Sequence, residues 1–89
     1  MLYHQIDFTK SFIKQFEKLR ENQKNRFYER LELFKKNPHD RVLRDHALKG
    51  KYKGYRSIDI EGDLRALYYV KDDVVILFAF IGSHSQLYR

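Results

Sequence analysis

Two apolar stripes with the spacing of an α-helix occupy the first half of the chain and constrain its fold more than any other feature. Each stripe places apolar side chains at positions i, i+4 and i+7: Phe12, Phe16 and Leu19, then Phe27, Leu31 and Phe34. Asp7 or Thr9 can cap the first helix, and the polar run 22–25 is predicted to separate it from the second. Pro38 ends the second helix near Lys36, because the residue before a proline disfavours the helical conformation. The pattern predicts an antiparallel helical hairpin with one apolar side.

Strand-like segments surround this hairpin. They are predicted, in chain order, over residues 2–6, 55–61, 64–70 and 74–81. The last one is apolar on both sides, which indicates an internal strand covered on both faces. In the segment 55–61, Ile58 and Ile60 take one face, and the other face is polar and predicted to point outward: Ser57, Asp59 and Glu61.

The element order predicts the fold class. Short turns join the last three strands, so they are expected to form an antiparallel meander. The sequence therefore predicts a single α+β domain over residues 1–89, of order β-α-α-β-β-β. The helical hairpin is expected to pack on one face of a small, mainly antiparallel sheet.

Composition limits the class of protein. The chain has 89 residues, of which 43% are apolar, and it has no cysteine, which excludes disulfides and thiolate metal sites. No stretch approaches the ~20 apolar residues that span a bilayer, and the N-terminus lacks the form of a signal peptide. We therefore expect a cytoplasmic protein with no membrane partner. A net charge of +6 favours nucleic acid or an acidic protein as the partner.

Three short motifs carry a resemblance to a known family. They are Asp45-His46-Ala47-Leu48-Lys49-Gly50, Gly54-Tyr55-Arg56 with Asp63 beyond it, and Gly82-Ser83-His84-Ser85 with Leu87-Tyr88. In this order and spacing, the whole chain resembles the RelE/ParE superfamily of bacterial type II toxins, and within it the YafQ-like branch. The resemblance implies a RelE-like fold and a ribosome-dependent mRNA endoribonuclease that inhibits translation.

The same resemblance implies the partners. They are mRNA in the ribosomal A site, 16S rRNA and a cognate antitoxin that neutralises the toxin. An antitoxin segment that covers so basic a surface is expected to be partly acidic. No cofactor, metal or small-molecule ligand is implied, and the four scattered histidines lack the spacing of a zinc site.

Five residues are candidates for the chemistry. The resemblance places the histidine of the branch's first motif at His46, its C-terminal histidine at His84, its acidic residue at Asp63 and its C-terminal aromatic at Tyr88. Histidine exchanges protons near neutral pH, so His84 is the candidate acid and His46 the candidate base or its partner. Asp59 stands where the branch often has a histidine, and both aspartates could act as base or orient a histidine. Tyr88 could stack on an RNA base.

Five cationic residues are candidate RNA or phosphate ligands: Lys49, Lys51, Lys53, Arg56 and Arg65. The arginines could stabilise the charge that develops on phosphate, and the lysines could follow an RNA backbone. Arg56 shares its strand parity with Ile58, which places it away from the outward face unless the strand bulges. Related sequences can carry an arginine on the last strand, in the region where this chain has Phe80.

Two other functions remain open at this stage. A ParE-like toxin shares the fold and poisons DNA gyrase, but it lacks the acid–base set that His46, Asp63 and His84 would form here. The chain could also be a basic binding module without catalysis, and the departures at Asp59 and Phe80 keep that alternative open.

Overall fold

A computed structural model describes residues 5–88. Its elements are β1 (Gln5–Phe8), α1 (Lys10–Glu17), α2 (Glu21–Lys36), β2 (His46–Ala47), β3 (Arg56–Glu61), β4 (Leu64–Lys71), β5 (Val75–Ser83) and α3 (His84–Leu87). The strands form one sheet in the order β1-β5-β4-β3-β2, in which β1 runs parallel to β5 and the other neighbours are antiparallel. The predicted α+β class and mainly antiparallel sheet are confirmed. Part of the predicted strand 2–6 lies outside the described residues.

The apolar stripes of α1 and α2 form the larger core against the sheet. The Phe12 ring lies 5.3 Å from Phe27 and 6.0 Å from Phe78 of β5, and all three side chains are buried. Thr9 begins α1, because its hydroxyl oxygen accepts the Phe12 amide proton at 3.0 Å. The same hydroxyl donates to the Ala79 carbonyl at 2.8 Å, which attaches the start of the helix to β5.

The break between the helices was predicted wrongly. It lies at residues 18–20, and the polar run 22–25 forms the first turns of α2. The side-chain oxygen of Gln23 accepts the Arg20 amide proton at 3.0 Å and so satisfies a backbone donor at the helix start. A polar run can therefore begin a helix as well as interrupt one.

The sheet face opposite α1 and α2, which we call the distal face, carries a second, smaller core. Tyr52, Leu67 and Leu87 are buried there, and Leu48, Tyr55 and Phe80 pack against them. The segment 48–55 contributes to this core by folding back over the sheet. For that reason Ser57, predicted to point outward, is only 2% exposed.

Glu61 also differs from its predicted place. The register of β3 against β4 shifts between Asp59 and Glu61, so strict alternation ends there. The Glu61 carboxylate lies 3.4 Å from the Arg26 guanidinium of α2. Glu61 therefore contacts the helical layer and does not extend the polar row begun by Asp59.

None of the helices within residues 5–88 has the length and apolar character needed to cross a membrane.

Candidate functional site

The strand register places several predicted site residues on the distal face. His46 is paired with Ser57, Asp59 with Arg65, and Arg65 with Gly82. Directly paired residues, and residues two apart on one strand, share a face of the sheet. β2 and β5 are three strand spacings apart, about 14 Å. His46 and His84 therefore flank the Asp59–Arg65 pair and are not each other's neighbours.

His84 and Tyr88 lie together on the turn that follows β5. Their rings stack with centroids 4.7 Å apart and an interplanar angle of 30°, and both residues are exposed. The His84 amide donates to the Asp63 carbonyl at 3.0 Å, and the Tyr88 amide donates to the His84 carbonyl at 3.0 Å. The fold thus holds an imidazole, an aromatic ring and the Asp63 backbone in one place.

Buried contacts beneath α3 fix this turn. Leu87 is 3% exposed, and its carbonyl accepts the Tyr52 hydroxyl proton at 2.6 Å. The Tyr52 ring also meets Tyr88 edge-to-face with a centroid distance of 5.2 Å. At Gly82 an added Cβ would lie 3.1 Å from the side-chain oxygen of Gln86, so glycine permits the close approach of α3. Because the inner side of the turn is anchored, its outer side can present His84 and Tyr88 rigidly.

Asp59 is held between two arginines. Its carboxylate lies 3.0 Å from Nε of Arg65 and 3.6 Å from Nε of Arg44. Nη1 of Arg65 also donates to the Gly62 carbonyl at 2.8 Å. Asp59 and Arg65 have side chains that are 16% and 21% exposed, so water screens this pair less than a surface pair. The structure brings Asp59 to arginines and, among residues 5–88, gives it no hydrogen bond or ion pair with a histidine.

His46 lies on the two-residue strand β2 and is exposed. Its Nδ1 is 2.7 Å from the Arg44 carbonyl oxygen. A carbonyl can only accept, so Nδ1 carries the proton in this contact and a neutral His46 has its lone pair on Nε2. Arg44 itself has φ of 47°, a left-handed conformation that costs a non-glycine residue on the order of 1–3 kcal/mol.

Arg56 belongs to a different cluster. Its Nε lies 2.8 Å from one Asp45 oxygen, and the Tyr68 hydroxyl donates to the other at 2.5 Å. The hydrogen bond to Asp45 raises the pKa of Arg56 against the opposing effect of burial. Burial raises the pKa of Tyr68 well above its usual value, and Asp45 adds to the rise. Arg56 shares a face with buried Ile58, as its parity predicted, and so lies away from Asp59.

The three candidate lysines differ in their contacts. Lys51 lies 3.3 Å from the Leu87 carbonyl and 5.2 Å from the centre of the Tyr52 ring, so it is attached to the base of the His84 turn. Lys49 and Lys53 are exposed at the two ends of the short 3-10 turn Gly50–Tyr52. All three lysines lie within the segment that covers the distal face.

Comparison with known proteins identifies the family. A family model described as YafQ, the bacterial toxin of a type II toxin–antitoxin system, matches residues 4–89. The chain belongs to the YafQ toxin family. A YafQ protein of Haemophilus influenzae is 47% identical over 45 residues, a match that covers 47% of this chain and 44%, less than half, of that curated relative.

Solved structures of YafQ-type toxins have the same fold. Crystal structures of Escherichia coli YafQ, alone and in a DinJ–YafQ toxin–antitoxin complex, align with TM-scores of 0.79 and 0.76 at 26% identity. They cover 94% of this chain and 97% and 96% of those chains. A copper-bound mutant toxin from Helicobacter pylori aligns with a TM-score of 0.70 at 38% identity, covering 98% of this chain and 99% of that one. Within residues 5–88, no three His, Asp or Glu side chains form a group that could hold a metal ion.

The two departures from the YafQ-like pattern have structural counterparts. Asp59 pairs with arginines where a histidine is often found in this branch. Phe80 packs in the distal core, with its ring centroid 5.8 Å from that of Tyr52. Phe80 therefore leaves no arginine at that position of β5, and the guanidinium groups of Arg65 and Arg44 lie at Asp59.

Sequence reasoning assigned no role to several residues that support the site or lie beside it. They are Arg44, Asp45, Tyr52, Tyr68 and Gly82. A signal was present for Tyr52, because Leu48, Tyr52 and Tyr55 are apolar residues within a lysine-rich segment and indicate a buried side. No local pattern indicates that Arg44 holds both His46 and Asp59, because that contact depends on the tertiary fold.

Tyr68→Phe tests the Asp45 cluster. We expect the free energy of unfolding to fall by about 1–3 kcal/mol at neutral pH, because a buried carboxylate oxygen loses its donor. Because folding raises the pKa of Tyr68, its hydroxyl stabilises the folded state fully below the unfolded-state pKa of about 10. This stabilisation is lost as the pH rises above that pKa. The difference between wild type and variant should therefore shrink above about pH 10 in urea unfolding. Tyr28→Phe, at an exposed site on α2, is the control, and equal stability of wild type and Tyr68→Phe at pH 7 would contradict the expectation.

Proposed function

We propose that this YafQ-family toxin is a ribosome-dependent mRNA endoribonuclease that works by metal-free general acid–base catalysis. The observation that carries the proposal is the turn after β5, which presents His84 stacked on Tyr88 beside Asp63. A proton donor and a surface for base stacking are thereby combined on one rigid element. The family match and the +6 charge of the chain support the same function.

RNA supplies its own nucleophile, the 2′-hydroxyl group. Cleavage then requires a base near the 2′-oxygen, an acid near the departing 5′-oxygen, positive charge at the phosphate and an oriented nucleobase. The 2′-oxygen forms a bond to phosphorus as the bond from phosphorus to the 5′-oxygen breaks. The products are a 2′,3′-cyclic phosphate and a 5′-hydroxyl group.

His84 is assigned as the general acid. Its imidazole is exposed, so it can reach a phosphate, and its backbone is fixed by the Asp63 carbonyl. Tyr88 continues the aromatic surface, and stacking of an RNA base on it would contribute ~1–3 kcal/mol to positioning. The exposed carboxylate of Asp63 is assigned to orienting the His84 imidazole when RNA is bound.

His46 is assigned as the general base. The hydrogen bond from Nδ1 to the Arg44 carbonyl leaves Nε2 of the neutral ring free to accept the 2′-hydroxyl proton. Because β2 and β5 are three strand spacings apart, His46 and His84 lie on opposite sides of the Asp59–Arg65 pair, which supports this assignment. A phosphate bound between them would have the base and the acid on opposite sides, as in-line displacement requires.

Arg65 and Arg44 are assigned to the developing charge on the phosphate. Both lie at the Asp59 carboxylate, and an arginine fork matches the geometry of phosphate oxygens. Asp59 then serves to position the arginines, because both of its oxygens face guanidinium groups. Arg56 is engaged by Asp45 and is assigned to stability, in contrast to its predicted role as a phosphate ligand.

Ribosome contact and antitoxin binding complete the proposal. Lys49, Lys51 and Lys53 would follow the backbone of 16S rRNA or mRNA at the A site. The E. coli relative has been solved in a complex with the antitoxin DinJ, and we propose a cognate antitoxin for this chain. Its inhibitory segment is expected to be acidic, because it covers a surface of positive charge.

The decisive experiment is an RNA cleavage assay with the purified wild-type protein in the presence of a chelator. We expect cuts in ribosome-bound mRNA that leave 2′,3′-cyclic phosphate ends, and the same assay on free mRNA tests the dependence on the ribosome. Intact mRNA together with damaged DNA in intoxicated cells would favour a gyrase-directed toxin. No cleavage of either RNA and no DNA damage would favour a binding module without catalysis.

A further inference from the structure

Arg44 has a left-handed backbone conformation just before β2. Its φ is 47°, in a region that glycine adopts readily and that a Cβ atom disfavours. Among residues 5–88, the other non-glycine residues with a positive φ are Asp72 and Asp73, in the turn between β4 and β5. Arg44 is not part of a turn between paired strands, so its conformation needs another cause.

The contacts with β3 supply that cause. The Leu43 carbonyl accepts the Asp59 amide proton at 2.7 Å, and His46 pairs with Ser57. Two residues lie between Leu43 and His46, whereas one lies between Ser57 and Asp59 on β3. One residue is therefore extra, as in a β-bulge, and bulges of one common type have their first residue in the left-handed region. Arg44 occupies this first place.

The neighbours on both sides prevent Arg44 from relaxing. Leu43 is fully buried in the larger core. Asp45 is held on the helical side of the sheet by the Arg56 guanidinium at 2.8 Å and by the Tyr68 hydroxyl. A disfavoured conformation persists where the surrounding structure fixes it in this way, and such residues cluster at functional sites.

The conformation of Arg44 determines the state of the His46 ring. The Arg44 carbonyl oxygen lies 2.7 Å from Nδ1 of His46, and in the described part of the chain it is the only hydrogen-bond partner of this exposed imidazole. Rotation of Arg44 into the right-handed region would turn the peptide group between residues 44 and 45 and move this carbonyl. The ring would then lose the contact that places the proton on Nδ1.

We propose that Arg44 is a positioning residue for His46. Its left-handed backbone points its carbonyl at Nδ1, which holds the neutral imidazole in the tautomer that has a free lone pair on Nε2. This inference rests on the proposed function, in which Nε2 of His46 accepts the 2′-hydroxyl proton. It gives the backbone of Arg44 a role separate from that of its guanidinium group. The other tautomer carries a proton on Nε2 and cannot accept one there.

Two substitutions at the same position separate the two roles. Arg44→Gly and Arg44→Val both remove the guanidinium group, but glycine adopts the left-handed region freely and β-branched valine strongly disfavours it. We expect Arg44→Val to cleave ribosome-bound mRNA ~10–10²-fold more slowly than Arg44→Gly, within the roughly 10²–10⁴-fold that general acid–base catalysis contributes. Any difference between Arg44→Gly and wild type measures the guanidinium group.

The tautomer itself is measured in the free protein, without RNA. The ring nitrogens of His46 are observed by ¹⁵N NMR at about pH 8.5, well above the ordinary histidine pKa of ~6.5, so that the imidazoles are neutral. We expect wild type and Arg44→Gly to carry the proton on Nδ1, and Arg44→Val to show a mixture with the Nε2-protonated form. A purely structural role of Arg44 would not change the tautomer.

A matched control accounts for lost stability. Asp72 has a φ of 54°, so Asp72→Val imposes a similar backbone cost in the turn between β4 and β5. It should lower the melting temperature as Arg44→Val does and leave the His46 signals and the cleavage rate unchanged. If Arg44→Val does not fold, Arg44→Ala takes its place, because its smaller side chain disfavours the left-handed region less.

The outcomes distinguish this inference from the proposed function. The same His46 tautomer in the glycine and valine variants, or equal cleavage rates despite different tautomers, would overturn the positioning role and leave the nuclease standing. Absence of cleavage by the wild type would overturn the proposed function. His46 signals that still differ between Arg44→Gly and Arg44→Val would in that case support the control of the His46 ring by Arg44.

Discussion

His84→Ala is expected to lower the rate of RNA cleavage by ~10²–10⁴-fold, because the proposed general acid is lost and the turn that carries it is retained. The turn should persist because its contacts use the His84 backbone and buried Leu87, while the imidazole is exposed. The measurement is single-turnover cleavage of ribosome-bound mRNA with a chelator present, with the ends mapped. His39→Ala, an exposed histidine in the loop after α2, should cleave at the wild-type rate.

A second substitution separates proton transfer from stacking at the same position. His84→Gln keeps a planar polar group beside Tyr88 but cannot act as an acid near neutral pH. We expect it to be as inactive as the alanine variant. If His84→Gln retained most of the rate, or if His84→Ala cleaved like wild type with an unchanged melting temperature, the assignment of His84 as general acid would be wrong.

Arg65→Gln is expected to lower the cleavage rate by about 10²–10³-fold, the usual effect of removing one preorganised donor from a developing charge. Arg65 is held by Asp59 and by the Gly62 carbonyl, so its guanidinium group is fixed before RNA binds. The rate should be measured at saturating ribosome-bound mRNA, so that weaker binding does not contribute. Arg26→Gln, on α2 and outside the proposed site, controls for the lost charge.

Arg56→Gln provides the contrast. Arg56 holds Asp45 on the helical side of the sheet, so its loss should lower the unfolding free energy and leave the rate of the folded protein near that of wild type. If both variants fold but Arg56→Gln is inactive and Arg65→Gln is active, Arg56 and not Arg65 is the phosphate ligand.

The sequence could predict the elements whose patterns are local. The apolar stripes correctly predicted α1 and α2, because the same side chains that repeat with helical spacing are the ones buried against the sheet. The misplaced break at 22–25 shows the limit of this reasoning. Its correct position depends on the Gln23 side chain bonding to the Arg20 backbone. Glutamine is common three residues after a helix N-cap, but arginine is not a typical N-cap residue, so the start signal was incomplete.

The candidate site was predictable in part for the same reason. His84, Tyr88 and Asp63 come together through a short turn and one strand pair, so sequence spacing and the family resemblance were enough to group them. The partners of the arginines could be assigned only from the three-dimensional structure. Arg56 and Arg65 look alike in the sequence, yet Arg56 forms an ion pair with Asp45 and Arg65 forms one with Asp59. The difference arises from strand parity and register.

The parallel pairing of β1 with β5 has a consequence for how the protein folds. The contact between Thr9 and Ala79 spans 70 residues, so β1 must remain without its partner until most of the chain has been synthesised and has folded. Such long-range closure raises the contact order and slows folding. Because His84 follows β5 directly, the turn that carries this proposed general acid should become ordered only as β5 docks in the sheet. We therefore expect nascent and partly folded chains to be harmless to the ribosomes that make them.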